Sequence, residues 1–175
     1  MAQLLMRRPH LRDLPSAEPL APGYHLREYG GPADLPGLLT TLAEAFAEPW
    51  DAARAARELT AAPTVKAIYV VTADGAVIGT ASSRLLPEHF PGSGYVHWIG
   101  VAGAHRRRGV AAALLARVLD DFRERGCGAA VLETDDFRLP AIRAYLRCGF
   151  LPVYDVAGED HRDRWSAIAQ RLFSR

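Results

Sequence analysis

The fold is decided by one stretch of the sequence, Ile99-Gly100-Val101-Ala102-Gly103-Ala104-His105-Arg106-Arg107-Arg108-Gly109-Val110-Ala111. An apolar strand pattern leads into this stretch, and a long amphipathic helix pattern begins at its end. The first turn of a helix carries unpaired backbone N–H groups and a partial positive charge. Small residues at Gly109 and Ala111 leave room for a ligand, so the stretch predicts a cradle for a pyrophosphate. The alternative is that Gly109 only forms a turn and that the arginines are solvated.

The chain around this stretch alternates between strand patterns and helix patterns. Strands are predicted over 24–29, 65–72, 76–86, 95–101, 129–134 and 151–156. Helices are predicted over 34–47, 51–61, 109–125 and 140–148, and a further helix near the C-terminus contains Trp165, Ile168, Ala169 and Leu172. This interleaving predicts an α/β fold with a mostly antiparallel front and a parallel strand pair across the long helix.

The composition is that of one globular domain. The chain has 175 residues, of which 49% are apolar, so it can bury a full core without metal or disulfide staples. Its 21 basic and 20 acidic residues give a net charge of +1, which argues against a nucleic-acid or membrane-surface protein. Two cysteines are too few for a disulfide framework and predict a cytoplasmic location. We expect one of them, Cys148, to be a buried structural thiol.

The N-terminal residues do not have the order of a secretory signal. Arg7 and Arg8 follow the apolar residues instead of preceding them, and prolines interrupt the segment. We therefore expect residues 1–22 to form an extended arm that is either mobile or laid along the surface. Residues 23–175 are predicted to form a single domain.

Several common catalytic signatures are absent from the sequence. It contains no GxxxxGK(S/T) or GxGxxG phosphate loop and no HExxH, CxxC or GxSxG motif. His10, His25, His89 and His161 share no metal-ligand spacing. Metal, redox and serine-hydrolase chemistry therefore lack their usual residues, and no metal is predicted.

Two segments carry a resemblance to a known family. The segment Arg106-Arg107-Arg108-Gly109-Val110-Ala111 has the pattern Q/R-x-x-G-x-G/A, and the segment Pro140-Ala141-Ile142-Arg143-Ala144-Tyr145-Leu146-Arg147-Cys148-Gly149-Phe150 has the pattern A-I-x-x-Y-x-x-x-G-F. In this order, with a strand between them, they resemble the acetyl-CoA signature and the following helix of the GNAT superfamily of N-acetyltransferases. Residues 135–154 and 161–165 also resemble actinobacterial members of the mycothiol-synthase-like kind. The resemblance implies a mixed, mostly antiparallel sheet with a splayed parallel pair, flanked by four to five helices.

The resemblance also implies roles for individual residues. Ile99 and Val101 are expected to pair with the pantetheine arm of acetyl-CoA and to polarise the thioester carbonyl. Tyr145 stands at the position of the family's general acid, which protonates the leaving CoA thiolate. Arg138 replaces a common asparagine and contacts either CoA phosphate or only solvent. The pyrophosphate is expected to bind backbone N–H groups of Arg106, Arg107, Arg108, Gly109, Val110 and Ala111.

The general base is less clearly indicated. Some family members have a glutamate at the position of Tyr95, and tyrosine is a poor base at neutral pH. His97 lies two residues further along the predicted strand, on the same face, and has an ordinary pKa of about 6.5. We therefore expect His97 to take the proton from the amine. The alternatives are an ordered water chain and the carboxylates of Glu133, Asp135 and Asp136.

The sequence thus predicts an enzyme that moves an acetyl group from acetyl-CoA to a primary amine by direct attack on the thioester. The alternative is a catalytically silent CoA-binding or regulatory domain. The acceptor is expected to be a small molecule or a peptide, and the protein a monomer or a homodimer. The acceptor should bind between residues 46–57 and the loop 87–94. Residues there that could receive a cationic amine are Glu44, Glu48, Trp50, Asp51 and Glu88.

Overall fold

A seven-stranded sheet lies at the centre of the computed structural model, which describes residues 3–14, 16, 18–156 and 158–173. In spatial order its strands are β2 (Tyr24–Glu28), β3 (Val65–Ala73), β4 (Ala76–Leu85), β5 (Ser93–Val101), β6 (Ala129–Thr134), β1 (Leu4–Arg8) and β7 (Leu151–Pro152). Every neighbouring pair is antiparallel except β5 and β6. Two short strands, β8 (Asp155–Val156) and β9 (Glu159–Asp160), form a separate hairpin. The predicted fold class is confirmed.

The helices in the described residues also agree with the prediction. They are α1 (Leu35–Phe46), α2 (Ala52–Ala55), α3 (Val110–Glu124), α4 (Leu139–Arg147) and α5 (Arg162–Phe173). A π-helical turn, Ala56–Thr60, continues α2, and a 3-10 turn, Gly103–His105, precedes α3. The predicted apolar face of α3 is buried at Val110, Leu114, Leu115, Val118, Leu119 and Phe122. None of these helices is long and apolar enough to cross a membrane.

Two apolar clusters cover the two faces of the sheet. The larger cluster joins α3, α4 and α5 to one face, and the smaller joins α1 and α2 to the other. Gly94 on β5 allows α3 to approach closely, because a Cβ atom there would overlap the ring of Phe122. Gly100, further along the same strand, similarly allows α1 to approach, since its Cβ would lie 2.7 Å from that of Ala45. The strand β5 is therefore tightly packed on both sides.

The N-terminal segment departs from the predicted arm. Residues 4–8 form β1, which pairs with β6 along its whole length and with β7 at Met6 and Arg7. It is therefore an interior strand, and Leu4 and Met6 are fully buried. The physical reason is that β1 satisfies the backbone groups of both neighbours and adds apolar side chains to the core. Residues 1, 2, 15 and 17 of the predicted arm lie outside the described residues.

Arg8, the last residue of β1, connects this strand to the end of α4. Its guanidinium donates hydrogen bonds to the backbone carbonyls of Cys148 and Asp13, and only 6% of the residue is exposed. Cys148 follows the last residue of α4, where helix carbonyls have no partner within the helix. Gly149 makes room for the guanidinium, because a Cβ atom there would overlap it. The N-terminal strand thus holds the helix that carries Tyr145.

The predicted strand over 151–156 is interrupted. Only Leu151 and Pro152 pair with β1, and Asp155 and Val156 pair with β9 instead. Between them, Val153 donates to the carbonyl of Leu5 on β1 at 3.0 Å, and its own carbonyl accepts from the indole of Trp165 on α5 at 3.2 Å. The predicted terminal helix is confirmed as α5.

Candidate active site

The parallel strands β5 and β6 separate soon after they begin to pair. They pair only where Ser93–Tyr95 lies beside Ala129–Val131. Beyond Tyr95, β5 continues to Val101 and β6 continues to Thr134 without further pairing between them. The predicted splayed pair is confirmed. The separation leaves an opening in the sheet, bordered by the part of β5 that contains Ile99 and Val101.

A β-bulge shapes the border of this opening. Between their paired positions β5 has one more residue than β4, so Trp98 and Ile99 both lie opposite Ala81. Trp98 has a φ of +47°, a left-handed conformation that is unfavourable for a bulky side chain. Such strain persists where packing holds it, and the rings of Phe46 and Trp50 both contact the Trp98 ring edge-on. The end of α1 and the connection between α1 and α2 therefore hold the backbone of the bulge.

The predicted cradle lies where β5 gives way to α3. Gly109 precedes the first residue of α3 with a φ of +78°, and no side chain caps the helix. Arg107 also has a positive φ, of +61°. These two positive φ angles turn the chain sharply just before α3, whose first backbone N–H groups have no partner within the helix and can bind an anion. Residues 106–109 and Ala111 are exposed, so this site is open to solvent.

Two cradle arginines are anchored by neutral groups. Arg106 donates from Nε to the carbonyl of Val101 at 3.1 Å, which holds the turn against the end of β5. Arg108 donates to the hydroxyl of Tyr24 at 3.2 Å, and that hydroxyl contacts Nδ1 of His105 at 2.9 Å. None of these partners is a carboxylate, so both positive charges remain able to attract an anion.

Tyr145 projects from α4 into the larger apolar cluster. That cluster also contains Ile99, Val101 and Val110, which border the opening and the cradle. Tyr145 is 8% exposed, and its ring packs against Phe150 with centroids 6.1 Å apart. Burial raises the pKa of Tyr145 to about 12. The phenol is therefore protonated at neutral pH, as a general acid must be.

His97 does not have the surroundings of a general base. It is 9% exposed, and desolvation together with the charge of Arg84 lowers the pKa of His97 to about 3. Nη1 of Arg84 lies 3.3 Å from Nε2 of His97, which must therefore accept a hydrogen bond, and Nδ1 faces the Ser82 hydroxyl at 3.4 Å. Both ring nitrogens are occupied and the imidazole is a weak base. These surroundings favour another group as the base, and the role of His97 in taking the amine proton stays a prediction.

The depressed pKa of His97 leads to a prediction about stability. In the unfolded chain the imidazole gains a proton below a pH of about 6.5, whereas in the folded protein it stays neutral down to about 3. The free energy of unfolding should therefore fall as the pH drops through this window. We expect His97→Gln to remove about 1–2 kcal/mol of the loss between pH 7 and pH 5 in urea titrations. Identical pH dependence in both proteins would contradict the buried, neutral state of His97.

Glu133 is an exposed carboxylate on the part of β6 that no longer pairs with β5. It projects from β6 on the face opposite Tyr145, because it alternates with Leu132 of the Tyr145 cluster. The hydroxyl of Tyr95 donates to its carboxylate at 2.7 Å. Burial and the charge of Glu133 raise the pKa of Tyr95 far above its usual value, so Tyr95 remains a donor. The alternation of residues along β6 could indicate from the sequence which face Glu133 occupies. The hydrogen bond between Glu133 and Tyr95 had no such signal.

The other two candidate carboxylates are committed to ion pairs. Asp135 accepts from Nε of Arg138 at 2.9 Å. Asp136 receives two hydrogen bonds from the guanidinium of Arg164 on α5, and these hold the pKa of Asp136 below its usual value. Neither carboxylate is as available as Glu133.

Arg138 lies between two aromatic rings at the mouth of the opening. Its guanidinium carbon is 4.9 Å from the centroid of the Phe46 ring and 5.3 Å from that of Phe137. Phe46 belongs to α1, whereas Arg138 immediately precedes α4. Arg138 therefore spans from one side of the opening to the other, and its charge is paired with Asp135.

The predicted acceptor region contains fewer free carboxylates than expected. Glu44 accepts the backbone N–H of Gly103 at 2.6 Å, and Asp51 caps the first turn of α2. Glu48 pairs with Arg54 at 2.7 Å. Arg54 in turn lies 4.2 Å above the ring of Trp50, where a ligand cation was expected. These carboxylates bind groups of the protein itself. Their spacing in the sequence could not distinguish this structural role from a role in ligand binding.

A model of the acetyltransferase (GNAT) family matches residues 35–150, which include the opening, the cradle and α4. The chain belongs to the GNAT family. The resemblance carried by the two sequence segments is thereby confirmed.

Curated relatives of this GNAT chain include acetyltransferases of small molecules. Mycothiol acetyltransferase of Mycolicibacterium paratuberculosis is 32% identical over 167 residues, which cover 85% of this chain and 52% of that protein. This chain therefore spans about half the length of that relative. Streptothricin acetyltransferase of Streptomyces lavendulae is 44% identical over 52 residues, 30% of this chain and 28% of that protein.

Solved structures share the fold at lower identity. A GCN5-related N-acetyltransferase of Sphaerobacter thermophilus superposes with a TM-score of 0.67 at 22% identity, over 87% of this chain and 50% of that one. AAC(6')-Iy, in complex with the bisubstrate analogue CoA-S-monomethyl-acetylneamine, has a TM-score of 0.65 at 22% identity, over 76% of this chain and 94% of that one. At these identities the likeness establishes the fold alone.

Proposed function

We propose that this GNAT protein transfers the acetyl group of acetyl-CoA to a primary amine. The observation that supports the proposal is the opening between β5 and β6, with a buried, protonated phenol in the apolar cluster on one face of the sheet and an exposed carboxylate on the other face. Tyr145 and Glu133 are those groups, and the anion cradle lies at the end of the same strand, β5. A binding module without turnover has no use for an acid and a base on opposite sides of one opening.

Acetyl-CoA would be held by backbone groups more than by side chains. The cradle over residues 106–111 offers N–H groups and two unpaired guanidinium charges to the pyrophosphate. The border of β5 at Ile99 and Val101 lies beyond its last pair with β6, and its backbone N–H groups are proposed to bind the pantetheine arm. Arg138, close to this mouth, is proposed to contact the cosubstrate through its remaining N–H donors. No metal participates in this proposal, and no group of metal-ligating side chains occurs in the described residues.

The proposed reaction is a direct acyl transfer. Glu133 accepts a proton from the ammonium and passes it to solvent, and the neutral amine nitrogen then bonds to the thioester carbonyl carbon while Glu133 takes the second proton that this nitrogen loses. A backbone N–H of β5 stabilises the oxyanion that forms, and the C–S bond then breaks. Tyr145 gives its proton to the departing thiolate. The products are the N-acetyl amine and CoA, and the two residues exchange their protons back through solvent.

The thiol of Cys148 does not compete as a nucleophile in this proposal. Burial raises the pKa of Cys148, so the thiol stays protonated and unreactive at neutral pH. This agrees with the structural role predicted for it. Measurement of an amine-dependent release of free CoA is the experiment that tests the proposed function.

The cradle can be tested by placing a charge in it. Gly109→Asp adds a carboxylate where the pyrophosphate would bind, and it adds a side chain at a φ of +78°. We expect the affinity for acetyl-CoA, measured by calorimetry, to fall by about 10–100-fold, equivalent to roughly 1.5–3 kcal/mol of lost charge-assisted hydrogen bonding.

Gly126→Asp is the matched control for the cradle. Gly126 ends the same helix with the same φ of +78°, and a Cβ there has open space around it, as at Gly109. Both variants should lose similar stability from the left-handed backbone. Only Gly109→Asp should lose acetyl-CoA, and equal binding by the two variants would show that the cradle lies elsewhere.

A further inference from the structure

Arg84 carries a positive charge that no carboxylate in the described residues neutralises by an ion pair. It lies at the end of β4 directly opposite Tyr95 in the β4–β5 register, and it is half-buried. Nε donates to the hydroxyl of Thr64 at 2.8 Å, and Nη1 donates to Nε2 of His97 at 3.3 Å. Both partners are uncharged. A half-buried guanidinium held in this way is an unsatisfied partner for a planar anion.

The neighbouring arginines differ from Arg84. Arg54 is paired with Glu48 and Glu58, and Arg138 is paired with Asp135. Of Arg54, Arg84 and Arg138, Arg84 is thus the one whose charge is not paired with a carboxylate. His97 fixes its direction without cancelling its charge, because the imidazole accepts a hydrogen bond and is neutral.

The two charges nearest to Tyr95 have opposite signs. The carboxylate of Glu133 accepts from the Tyr95 hydroxyl at 2.7 Å, and Arg84 lies across the β4–β5 ladder from Tyr95. Both charges act on the Tyr95 phenol, Glu133 raising its pKa and Arg84 lowering it. A surface with a carboxylate and a guanidinium on either side of one aromatic ring complements a molecule that carries an amine and a carboxylate.

We propose that the acceptor is an amino carboxylate, such as a free amino acid, whose carboxylate binds Arg84 while its amine reaches Glu133. This inference rests on the proposed function and adds the class of substrate to it. Arg84 is then a specificity-determining residue, and His97 positions its guanidinium. The bond made to the acceptor carboxylate is a bidentate, charge-assisted one, which lysine reproduces only in part.

Matched ligand pairs test this inference. Lysine and cadaverine, and phenylalanine and phenethylamine, differ within each pair only by the carboxylate. With CoA present, calorimetry on the wild-type protein should show at least about tenfold tighter binding of the carboxylate member of a pair. Arg84→Gln should abolish the difference, and Arg84→Lys should keep part of it. Arg123→Gln, a change at an exposed arginine on α3, serves as the control and should keep all of it.

Each outcome of this experiment is informative. Equal binding within both pairs by the wild-type protein, or tighter binding of the decarboxylated amines, would overturn the inference even if a variant failed to fold. An acetylation assay on the same pairs separates it from the proposed function. Acetylation of both members of a pair without preference would support the proposed function and overturn the inference. Selective binding without any acetylation would overturn the proposed function and leave only a binding site for amino carboxylates.

Discussion

Replacing Tyr145 with phenylalanine is expected to lower kcat by about 10²–10⁴-fold, which is the usual contribution of a general acid. The change removes only the hydroxyl, so the ring keeps its packing against Phe150 in the larger apolar cluster. Affinity for acetyl-CoA and the melting temperature should therefore stay close to the wild-type values. Steady-state kinetics, calorimetry and thermal unfolding measure the three quantities on one preparation.

Tyr69→Phe is the matched control for Tyr145→Phe. Tyr69 is also buried, but its hydroxyl donates to Asp121 at 2.9 Å, beside α3 and away from the opening. Loss of this hydrogen bond to a buried carboxylate should cost about 1–3 kcal/mol of stability. The two variants should thus show opposite signatures, one in rate and one in stability. Full kcat in Tyr145→Phe would reduce Tyr145 to a core residue.

Replacing Glu133 with glutamine should lower kcat/KM by a similar factor, about 10²–10⁴-fold at neutral pH. Glutamine keeps an acceptor for the Tyr95 hydroxyl but cannot take a proton from the amine. The defect should shrink as the pH rises toward the pKa of the acceptor amine, because more of the amine is then already neutral. The pH profile of kcat/KM for wild type and variant measures both effects.

An exposed glutamate on α3 provides the control for Glu133→Gln. Glu124 pairs with Arg117 at 3.2 Å on the helix surface, and Glu124→Gln should leave the pH profile unchanged. A Glu133→Gln enzyme with full activity at neutral pH would rule out this carboxylate and return the role of base to ordered water.

The long helix and the cradle could be predicted because their signals are local. The apolar spacing of α3 and the glycine that precedes it lie within a short segment, and the structure has both where the sequence indicated. By contrast, β1 depends on pairing with β6, more than 120 residues away in the sequence. Leu4 and Met6 alternate as strand residues do, but the prolines that follow them favoured an arm.

The surroundings of His97 could not be predicted for a related reason. Strand alternation placed His97 and Tyr95 on one face correctly, and β5 has them there. The basicity of His97, however, is set by its burial and by Arg84, which comes from the neighbouring strand β4. Likewise, the sequence suggested that Glu48 and Asp51 were available to a ligand. In the fold Glu48 pairs with the guanidinium of Arg54, and Asp51 accepts a hydrogen bond from the backbone N–H of Arg54. The capping role of Asp51 is local to α2, whereas the contact of Arg84 with His97 arises from tertiary packing and has no signature in a single sequence.

The most direct test of acetyl transfer to an amine is the stoichiometry of the reaction. The protein is incubated with acetyl-CoA and each of a panel of amines and amino acids, and free CoA thiol and acetylated product are both quantified. The account predicts CoA release only when an acceptor is present, one N-acetylated product per CoA, and no acetyl group left on the protein. Acetyl-CoA binding with no amine-dependent CoA release, or an acetyl group retained on Cys148, would contradict it.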